Sequence, residues 1–303
     1  MCNLDFSPIS LEQSILVRKY MSDYGAGSCQ HSFVSMYSLF EKYGDAVCES
    51  GQFLYILRSH LCDGDYRVYL APMGNGDRKK AFSNLLDDAH NFHAKAKFIT
   101  LTETDKNFIE QEFPDQFIIS EERDLAEYIY QTEHMATFAG GNLAKRRKEV
   151  HQFWKTYGDR ASLKPIEPKD FPEILEFEGL WLEENCESHD MESLKQEART
   201  IQKQLEHFEE LQLSGIVMRI DGKVHGYGYG TRLSPEYYDA LIEKGDRNVR
   251  HAYKVLRQES VKQCAMECTY VNLEEDLGIE GLRNLKNAYQ PEFLIKKYIV
   301  TER

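Results

Sequence analysis

Short apolar runs of strand character alternate along this chain with amphipathic segments of helical periodicity. Residues 52–57 and 97–101 have strand character, and between them Phe82, Leu85 and Ala89 recur at the spacing of a helix face. Alternation of this kind is typical of proteins in which helices pack on sheets. The sequence therefore predicts an α/β fold with mixed sheets.

The clearest local signal is a hairpin in the second half of the chain. Residues 213–220 and 223–231 have strand character and are separated only by Asp221 and Gly222. An Asp-Gly pair between two strands favours a type I′ turn, because both turn residues need positive φ angles. We expect two antiparallel strands joined by a two-residue turn.

The length of 303 residues favours two domains. Residues 142–157 form an amphipathic helical pattern that stops at Gly158, a residue type that commonly follows the last turn of a helix. Mixed strand and helix patterns occur on both sides of this point. We therefore predict an N-terminal domain over residues 1–158 and a C-terminal domain over residues 159–303.

The net charge of −13 limits the possible partners. Neither half of the chain is basic, so extensive binding to DNA is not expected, although a small basic site is compatible with this charge. No stretch approaches the roughly 20 consecutive apolar residues of a transmembrane helix. The first residues also lack the pattern of a secretory signal, so we expect a cytoplasmic protein.

Seven cysteines and ten histidines are scattered along the chain, without a CxxC pair or an HExxH motif. Structural zinc sites and disulfide frameworks use regular spacings, so neither is predicted and no metal site is expected. The GxxxxGK[ST] and GxSxG motifs are also absent from the sequence, which disfavours ATPases and serine hydrolases.

Three glycines alternate along one strand of the expected hairpin. Gly226, Gly228 and Gly230 point to the same face and leave a stripe of bare backbone there. Packing against a helix and a ligand channel both explain such a stripe, and the sequence leaves both open. In a channel, backbone N–H groups along this strand could stabilise an oxyanion.

Residues 243–252 lead from a strand end into a helix start. Backbone amides and basic side chains at such a point can hold an anion, although a charged surface loop would have the same composition. Acetyltransferases of the GNAT type carry Gln/Arg-x-x-Gly-x-Gly/Ala here, whereas residues 247–252 of this chain have Arg250 in place of the central glycine. Arg250 can still pair with a phosphate or a carboxylate.

Residues 272–286 form the densest polar cluster of the chain. Arg283 and Lys286 are three apart and share one helix face, beside the acidic Glu274 and Asp276. This set suits a substrate with both a phosphate and an amine, and surface salt bridges explain it equally well.

A basic run over residues 145–148 lies in the first turns of the predicted 142–157 helix. Cations near a helix N-terminus are unfavourable unless an anion or a partner offsets them. The run therefore indicates either an anionic ligand or a solvated helix face.

With these motifs in place, the chain resembles the C-terminal catalytic domain of bacterial phosphatidylglycerol lysyltransferases and its soluble relatives. The matching motifs are residues 145–153 after a glycine-containing loop, 220–224, 242–246 with Arg250, and 271–286 with Tyr289, Pro291, Lys297 and Tyr298. The resemblance spans nearly the whole chain. It implies two GNAT-like domains in tandem, an arrangement shared with Fem-type peptidoglycan aminoacyltransferases.

The resemblance also implies which residues act on a substrate. The catalytic candidates are Glu243, Asn272 and Asp276, which with Glu274 would hold an aminoacyl amine or orient the nucleophile. Glu243 is the candidate general base. The substrate-binding candidates are Glu274, Lys244, Arg250, Arg283, Lys286, Tyr289, Gly228, Gly230, Lys145 and Arg147.

The basic candidates have separate implied roles. By the resemblance, Lys145 and Arg147 would face the end of a tRNA, and Arg283 and Lys286 its terminal phosphates. Because the chain is acidic overall, we expect only the acceptor end of the tRNA to bind.

The predicted function is therefore an aminoacyltransferase that uses aminoacyl-tRNA as donor and needs no bound cofactor. Its acceptor, a small molecule, a peptide or a lipid with a hydroxyl or an amine, is not identified by the sequence. Two alternatives stay open, a coenzyme A-dependent N-acyltransferase and a non-catalytic GNAT-like protein that binds an amino acid or a peptide.

Overall fold

The structure, a computed structural model, describes residues 4–185 and 191–303. It divides into two compact units. The first unit contains Met1–Tyr128, Glu275–Lys286 and Phe293–Arg303. The second unit contains Ile129–Glu274 and Asn287–Glu292.

Strands and helices alternate through the described residues. The strands are β1 (Ser7–Pro8), β2 (Asp45–Ser50), β3 (Phe53–Arg58), β4 (Tyr66–Tyr69), β5 (Met73–Gly74), β6 (Lys95–Leu101), β7 (Phe117–Glu121), β8 (Glu127–Gln131), β9 (Ala161–Pro165), β10 (Leu213–Ile220), β11 (Lys223–Arg232), β12 (Tyr237–Gly245), β13 (Tyr270–Asn272), β14 (Phe293–Ile295) and β15 (Tyr298–Glu302). The helices are α1 (Ser14–Tyr24), α2 (Phe33–Ser38), α3 (Phe40–Tyr43), α4 (Arg78–Asn91), α5 (Glu103–Glu112), α6 (Thr132–Thr137), α7 (Ala144–Tyr157), α8 (Phe171–Asn185), α9 (Met191–Glu206), α10 (Ala252–Ser260) and α11 (Glu280–Asn287).

The sheet of the first unit has the strand order β1-β2-β3-β4-β6-β15-β7, with β5 paired to β3. Its β4 and β6 are parallel, and α4 connects them, while the other pairs are antiparallel. Apolar residues of α4 such as Phe82 and Leu85 are buried in the same core as Phe98 of β6. The Asp77 carboxylate caps α4 by accepting a hydrogen bond of 2.9 Å from the Lys80 amide.

The sheet of the second unit contains the strand order β8-β13-β12-β11-β10-β9. Its β12 and β13 are parallel, and α10 connects them. The remaining pairs in this order are antiparallel. Each sheet thus mixes parallel and antiparallel pairs, as the sequence predicted.

The predicted hairpin is confirmed. β10 and β11 pair in antiparallel register with Ile220 opposite Lys223. Asp221 and Gly222 have φ angles of 51° and 84°, the positive pair that a type I′ turn requires. The helix that ends before Gly158 is confirmed as α7.

The two units do not coincide with the division predicted at residue 158. Residues 129–158 belong to the second unit, because β8 pairs with β13 through Ile129 to Gln131. Residues 293–303 belong to the first unit, because β15 lies between β6 and β7 in its sheet. Pairings between such distant parts of the sequence leave no local signal.

Two stretches differ from what their sequence pattern favours. Residues 293–300 have the pattern of a single strand, but the structure has two strands there, β14 and β15. Residues 249–266 have the pattern of a single helix, but α10 ends at Ser260 and a π-helical turn follows over Val261–Ala265.

Candidate functional site

Glu243 lies near the end of β12 in the second unit and forms an ion pair with Arg257 of α10. The Arg257 guanidinium donates two hydrogen bonds to the carboxylate, of 3.0 Å from Nε and 2.9 Å from Nη2. Burial lowers the pKa of Arg257, but the neighbouring Glu243 carboxylate raises it by more than burial lowers it. The pKa is therefore above its usual value, and the guanidinium stays charged. The pair fixes the Glu243 carboxylate in one orientation.

Tyr289 contacts the same guanidinium with its ring. The Arg257 guanidinium lies 4.7 Å from the ring centroid of Tyr289, and that of Arg146 lies 5.2 Å from it. Tyr289 is almost completely buried. Glu243 and Tyr289, two of the predicted site residues, are thus brought together in the second unit by Arg257, which the sequence analysis did not select.

Lys244 is buried among residues of α8 and α9 in the second unit. Its ammonium lies 2.5 Å from Glu197 Oε2, 3.8 Å from Glu178 Oε1 and 3.5 Å from the ring centroid of Trp181. Glu178 also accepts a hydrogen bond of 2.7 Å from the Tyr227 hydroxyl. Its aromatic and carboxylate contacts make Lys244 part of an internal cation-binding cluster.

A cavity of about 350 Å³ opens beside the start of α10 in the second unit. It is lined by Gln152, Lys155, Thr156, Arg250 and His251. No side chain caps α10, and His251 at its N-cap position has a left-handed φ of 70°. The cavity therefore brings two cations together beside a helix start and has no carboxylate in its wall, which is the chemistry of an anion site.

Hydrogen bonding fixes the imidazole of His251 at this cavity. Its Nε2 lies 3.1 Å from Oε1 of Gln152. Burial and the neighbouring Arg250 guanidinium lower the pKa of His251. The imidazole is therefore neutral at pH 7, and Lys155 and Arg250 supply the positive charge.

Protein atoms fill the space in front of the glycines of β11. A Cβ atom on Gly228 would lie 3.2 Å from Ser260 Oγ of α10, and one on Gly230 would lie 2.8 Å from the Tyr238 ring. Gly228 also pairs with strands on both sides, whereas Gly230 lies at an irregularity between β11 and β12. Close packing against neighbouring protein atoms therefore accounts for the glycine at both positions.

Asn272 and Glu274 form a tight turn after β13. The Asn272 side chain is completely buried, and its Oδ1 accepts a hydrogen bond of 2.7 Å from the Glu274 amide. Glu274 has a positive φ of 58°. Asn272 thereby shapes the backbone that leaves the sheet of the second unit.

The two basic candidates of α7 differ in their surroundings. The Arg147 guanidinium donates to the carbonyl oxygens of Phe138 and Gly140, and so holds the loop before the helix. Lys145 is exposed to solvent.

The other three candidates, Asp276, Arg283 and Lys286, lie in the first unit. The Asp276 carboxylate is completely buried and accepts from Arg283 at 2.8 and 2.9 Å, from Tyr128 at 2.7 Å and from Arg123 at 3.2 Å. Hydrogen bonds from Arg283 above all hold the pKa of Asp276 well below its usual range. Asp276 is thus an ionised anchor of its segment.

Arg283 and Lys286 are both engaged within the first unit. Arg283 pairs with Asp124 at 2.7 Å in addition to Asp276. The Lys286 ammonium donates to the Glu275 carbonyl oxygen and lies 5.6 Å from the ring centroid of Tyr128. The predicted residues therefore form separate clusters, three of them in the first unit and the others in the second.

One group of potential metal ligands occurs in the described part of the chain. Donor atoms of Cys29, Glu127 and Glu275 lie within 4.8 Å of one another in the first unit. The ammonium of Lys297 already lies 2.5 Å from Glu127 Oε1, and both side chains are fully buried. A cation from the chain itself thus already pairs with one of the two carboxylates of this group.

Four residues of the second unit escaped the sequence analysis, namely Lys155, Glu178, Trp181 and Arg257. Arg257 follows Glu243 by 14 residues, a separation that suggests no contact until the strand and helix are known to pack. Glu178 and Trp181 are three apart on α8, so helical spacing could have placed them on one face.

Comparison with known proteins identifies the family. The family of phosphatidylglycerol lysyltransferase C-terminal domains matches residues 22–301, and the chain belongs to it. A conserved protein of unknown function from Bacteroides thetaiotaomicron is 28% identical, has a TM-score of 0.93 and is matched over 99% of this chain and 100% of its own. L-PGS from Bacillus licheniformis is 13% identical, has a TM-score of 0.64 and is matched over 95% of this chain and 91% of its own.

A curated relative matches only part of the chain. An uncharacterised protein from Mycoplasmoides gallisepticum is 25% identical over 177 residues, which are 57% of this chain and 55% of that protein. The chain thus spans about half the length of this relative.

The predicted fold class, α/β with mixed sheets in two GNAT-like units, is confirmed by the two sheets and by the similar structures. The family points to a transferase of the aminoacyltransferase type. None of the described helices has both the length and the apolar character needed to cross a membrane.

Proposed function

We propose that this protein is an aminoacyltransferase that moves an aminoacyl group from aminoacyl-tRNA to a hydroxyl or an amine of an acceptor. Family membership supports the reaction type. The observation that carries the proposal is the cavity at the start of α10, where Arg250 and Lys155 line a wall that contains no carboxylate. A phosphate group of a tRNA end suits two cations placed beside the positive end of a helix dipole.

The reaction replaces one bond of the donor by one bond to the acceptor. The acceptor oxygen or nitrogen attacks the carbonyl carbon of the aminoacyl ester, and a new ester or amide bond forms. The ester oxygen of the tRNA leaves and takes up a proton in place of the one that the acceptor loses. The enzyme must therefore hold the aminoacyl group and manage one proton.

Glu243 is the group that we assign to this task in the second unit. Arg257 orients its carboxylate with two hydrogen bonds. Each carboxylate oxygen keeps a second lone pair, so Glu243 can orient the aminoacyl amine or accept the proton that the nucleophile loses. Arg257 and Tyr289 are positioning residues in this proposal.

Phosphate binding is assigned to Arg250 and Lys155 in preference to Arg283. Arg283 already contacts two carboxylates, Asp276 and Asp124, so its charge is compensated. Arg250 and Lys155 line an open cavity, and none of the residues that line it is a carboxylate. We propose instead that Asp276 and Arg283 stabilise the segment that carries them.

Binding of aminoacylated tRNA tests the proposal. A pool of tRNA labelled in its phosphates is charged with amino acids and compared with the same pool after deacylation, by filter binding at low and at physiological salt. The key variant is Arg250→Gln, and its matched control is Arg247→Gln, which removes the same charge from an exposed position of the same loop outside the cavity.

We expect charged tRNA to bind better than deacylated tRNA. Arg250→Gln should weaken binding about fivefold to tenfold and should reduce the slope of log K against log salt by about one phosphate contact. Arg247→Gln should change the affinity less than about twofold. Equal binding of charged and deacylated tRNA, or equal effects of the two variants, would contradict the proposal.

Coenzyme A-dependent N-acyl transfer is a second candidate, and the same cavity at the start of α10 favours it. A pyrophosphate could occupy the cavity in place of a tRNA phosphate. In that case coenzyme A should raise the melting temperature of the protein and should compete with tRNA for binding. Competition without preference for charged tRNA would favour this second candidate.

A further inference from the structure

A cavity of about 580 Å³ lies in the first unit, and no residue discussed above as a candidate lines it. Part of its wall is apolar and includes Ala71, Met73 and Ile295. All three of these side chains are buried in the unit. The volume falls within the range of pockets that hold small molecules, which is roughly 300 to 1,000 Å³.

The charged residues of the cavity wall neutralise one another. Four lining residues carry a permanent charge, namely Arg78, Glu103, Asp105 and Lys296. Arg78 forms an ion pair with Asp105. Lys296 lies 3.5 Å from Glu103. Since each cation has its counterion in the same wall, the cavity offers no uncompensated charge to a ligand.

His31 adds an uncharged polar group to this wall. Its side chain is 3% exposed, and neither ring nitrogen has a hydrogen-bond partner within the described residues. Burial, assisted by the ammonium of Lys297, lowers the pKa of His31 to about 4. The imidazole is therefore neutral near pH 7, with one N–H donor and one acceptor nitrogen unused.

We propose that this cavity binds an uncharged molecule that carries a hydroxyl group beside an apolar chain. The apolar wall accounts for the chain, and the paired charges disfavour an ionised ligand. A hydroxyl both donates and accepts, which matches the unused hydrogen-bonding capacity of a neutral imidazole. This inference does not rest on the proposed transferase activity, because it concerns binding to the first unit alone.

Three probes with the same six-carbon chain test the class of ligand. These are 1-monohexanoylglycerol, which is uncharged, hexanoate, which is an anion, and hexylammonium, which is a cation. Binding to the full chain is measured by isothermal titration at pH 7. We expect saturable binding of the glycerol ester, at least about tenfold tighter than that of either ion. Absence of binding by the ester, or equally tight binding by an ion, would overturn the proposal.

Matched variants on α5 locate the binding site. Thr104 is exposed at the cavity wall, so Thr104→Trp should fill part of the cavity from its rim and weaken the ester about tenfold or more. Asn107 is exposed on the same helix and does not line the cavity, so Asn107→Trp should change binding less than about twofold. Equal binding by both variants would place the ester elsewhere and refute this assignment.

A charge variant tests the neutrality argument by itself. Arg78→Gln leaves Asp105 without its guanidinium partner, so hexylammonium should now bind at least about fivefold more tightly than it binds the original protein. Circular dichroism verifies that the variant is folded. If hexylammonium binds both proteins equally, the paired charges do not determine what the cavity accepts.

Discussion

The two units share a strand–helix–strand crossover and differ at the start of its helix. In the first unit, β4 and β6 are parallel and α4 connects them. In the second unit, β12 and β13 are parallel and α10 connects them. Because the topology is the same, differences in chemistry at the two helix starts come from the side chains there.

Asp77 and His251 occupy the N-cap positions of α4 and α10. The Asp77 carboxylate accepts from the Lys80 amide and places a negative charge at the start of α4. His251 makes no capping bond, and Arg250 precedes it. A carboxylate at a helix N-terminus repels a second anion, whereas an uncapped start among cations attracts one. The anion site that we propose therefore lies at the start of α10, the crossover helix whose N-cap position carries no carboxylate.

The units also bury one lysine each in different ways. Lys297 of the first unit pairs with Glu127, and both side chains have 0% exposure. Lys244 of the second unit pairs with Glu197, whose side chain is 39% exposed. Lys244 also lies 3.8 Å from the buried Glu178, which would keep its hydrogen bond from the Tyr227 hydroxyl. Breaking a buried pair leaves an uncompensated charge away from water, while an exposed partner is rehydrated at little cost.

The largest expected effect follows from this difference between the two lysines. Lys297→Met should lower the free energy of unfolding by about 3 to 5 kcal/mol, because Glu127 would remain buried without its cation. Lys244→Met should cost only about 1 to 2 kcal/mol. Urea denaturation followed by circular dichroism measures both values. The added substitution Glu127→Gln should recover part of the loss in the Lys297 variant, and equal costs for the two lysine variants would contradict the comparison.

A pH effect of intermediate size is expected from His31 in the first unit. Its pKa is lowered to about 4, from a usual value near 6.5. Between these pH values His31 is protonated in the unfolded chain and neutral in the folded unit. This contribution to stability is fully present above pH 6.5 and is lost as the pH falls from 6.5 towards 4, by up to about 3 kcal/mol. The variant His31→Phe should lose less stability over this range than the original protein.

The control for this pH effect is His151→Phe, which changes an exposed histidine of α7. Urea denaturation at pH 7, 5.5 and 4.5 should give the same pH dependence for the control as for the original protein. An unchanged pH dependence in the His31 variant would show that another group causes the loss.

The smallest expected effect concerns the two helix starts. Asp77→Ala removes the capping bond of α4 and should cost about 1 kcal/mol, while Asp77→Ser should restore most of it, because a serine hydroxyl can also cap. His251→Ala removes no such bond from α10 and should cost less than about 0.5 kcal/mol. Thermal and urea denaturation compare the three variants. A cost at His251 as large as that at Asp77 would show that capping is not what separates the two helices.

Local patterns predicted the local features of this fold well. The hairpin turn at Asp221 and Gly222 and the stop of α7 at Gly158 each depend on residues within one turn or one helix. The α/β class followed from the same alternation. These features are determined by short-range sterics and hydrogen bonds, which a sequence displays directly.

Pairing across long separations was not accessible in the same way. The contact of Arg257 with Glu243 and the insertion of β15 between β6 and β7 depend on how strands and helices assemble. For the candidate residues, the family motifs selected charged groups but not their partners. Arg283 looked available for a phosphate until its two carboxylate partners, Asp276 and Asp124, were located.

The place of β15 in the first sheet has a consequence for the synthesis of this protein on the ribosome. β6 and β7 are complete after residue 121, but the strand that joins them, Tyr298–Glu302, emerges only after the whole second unit has been translated. Until then, the facing edges of β6 and β7 lack their partner, and unpaired strand edges are prone to aggregation. The first unit to be synthesised is therefore the last to be completed, and a nascent chain stalled before β15 would be a natural client for chaperones.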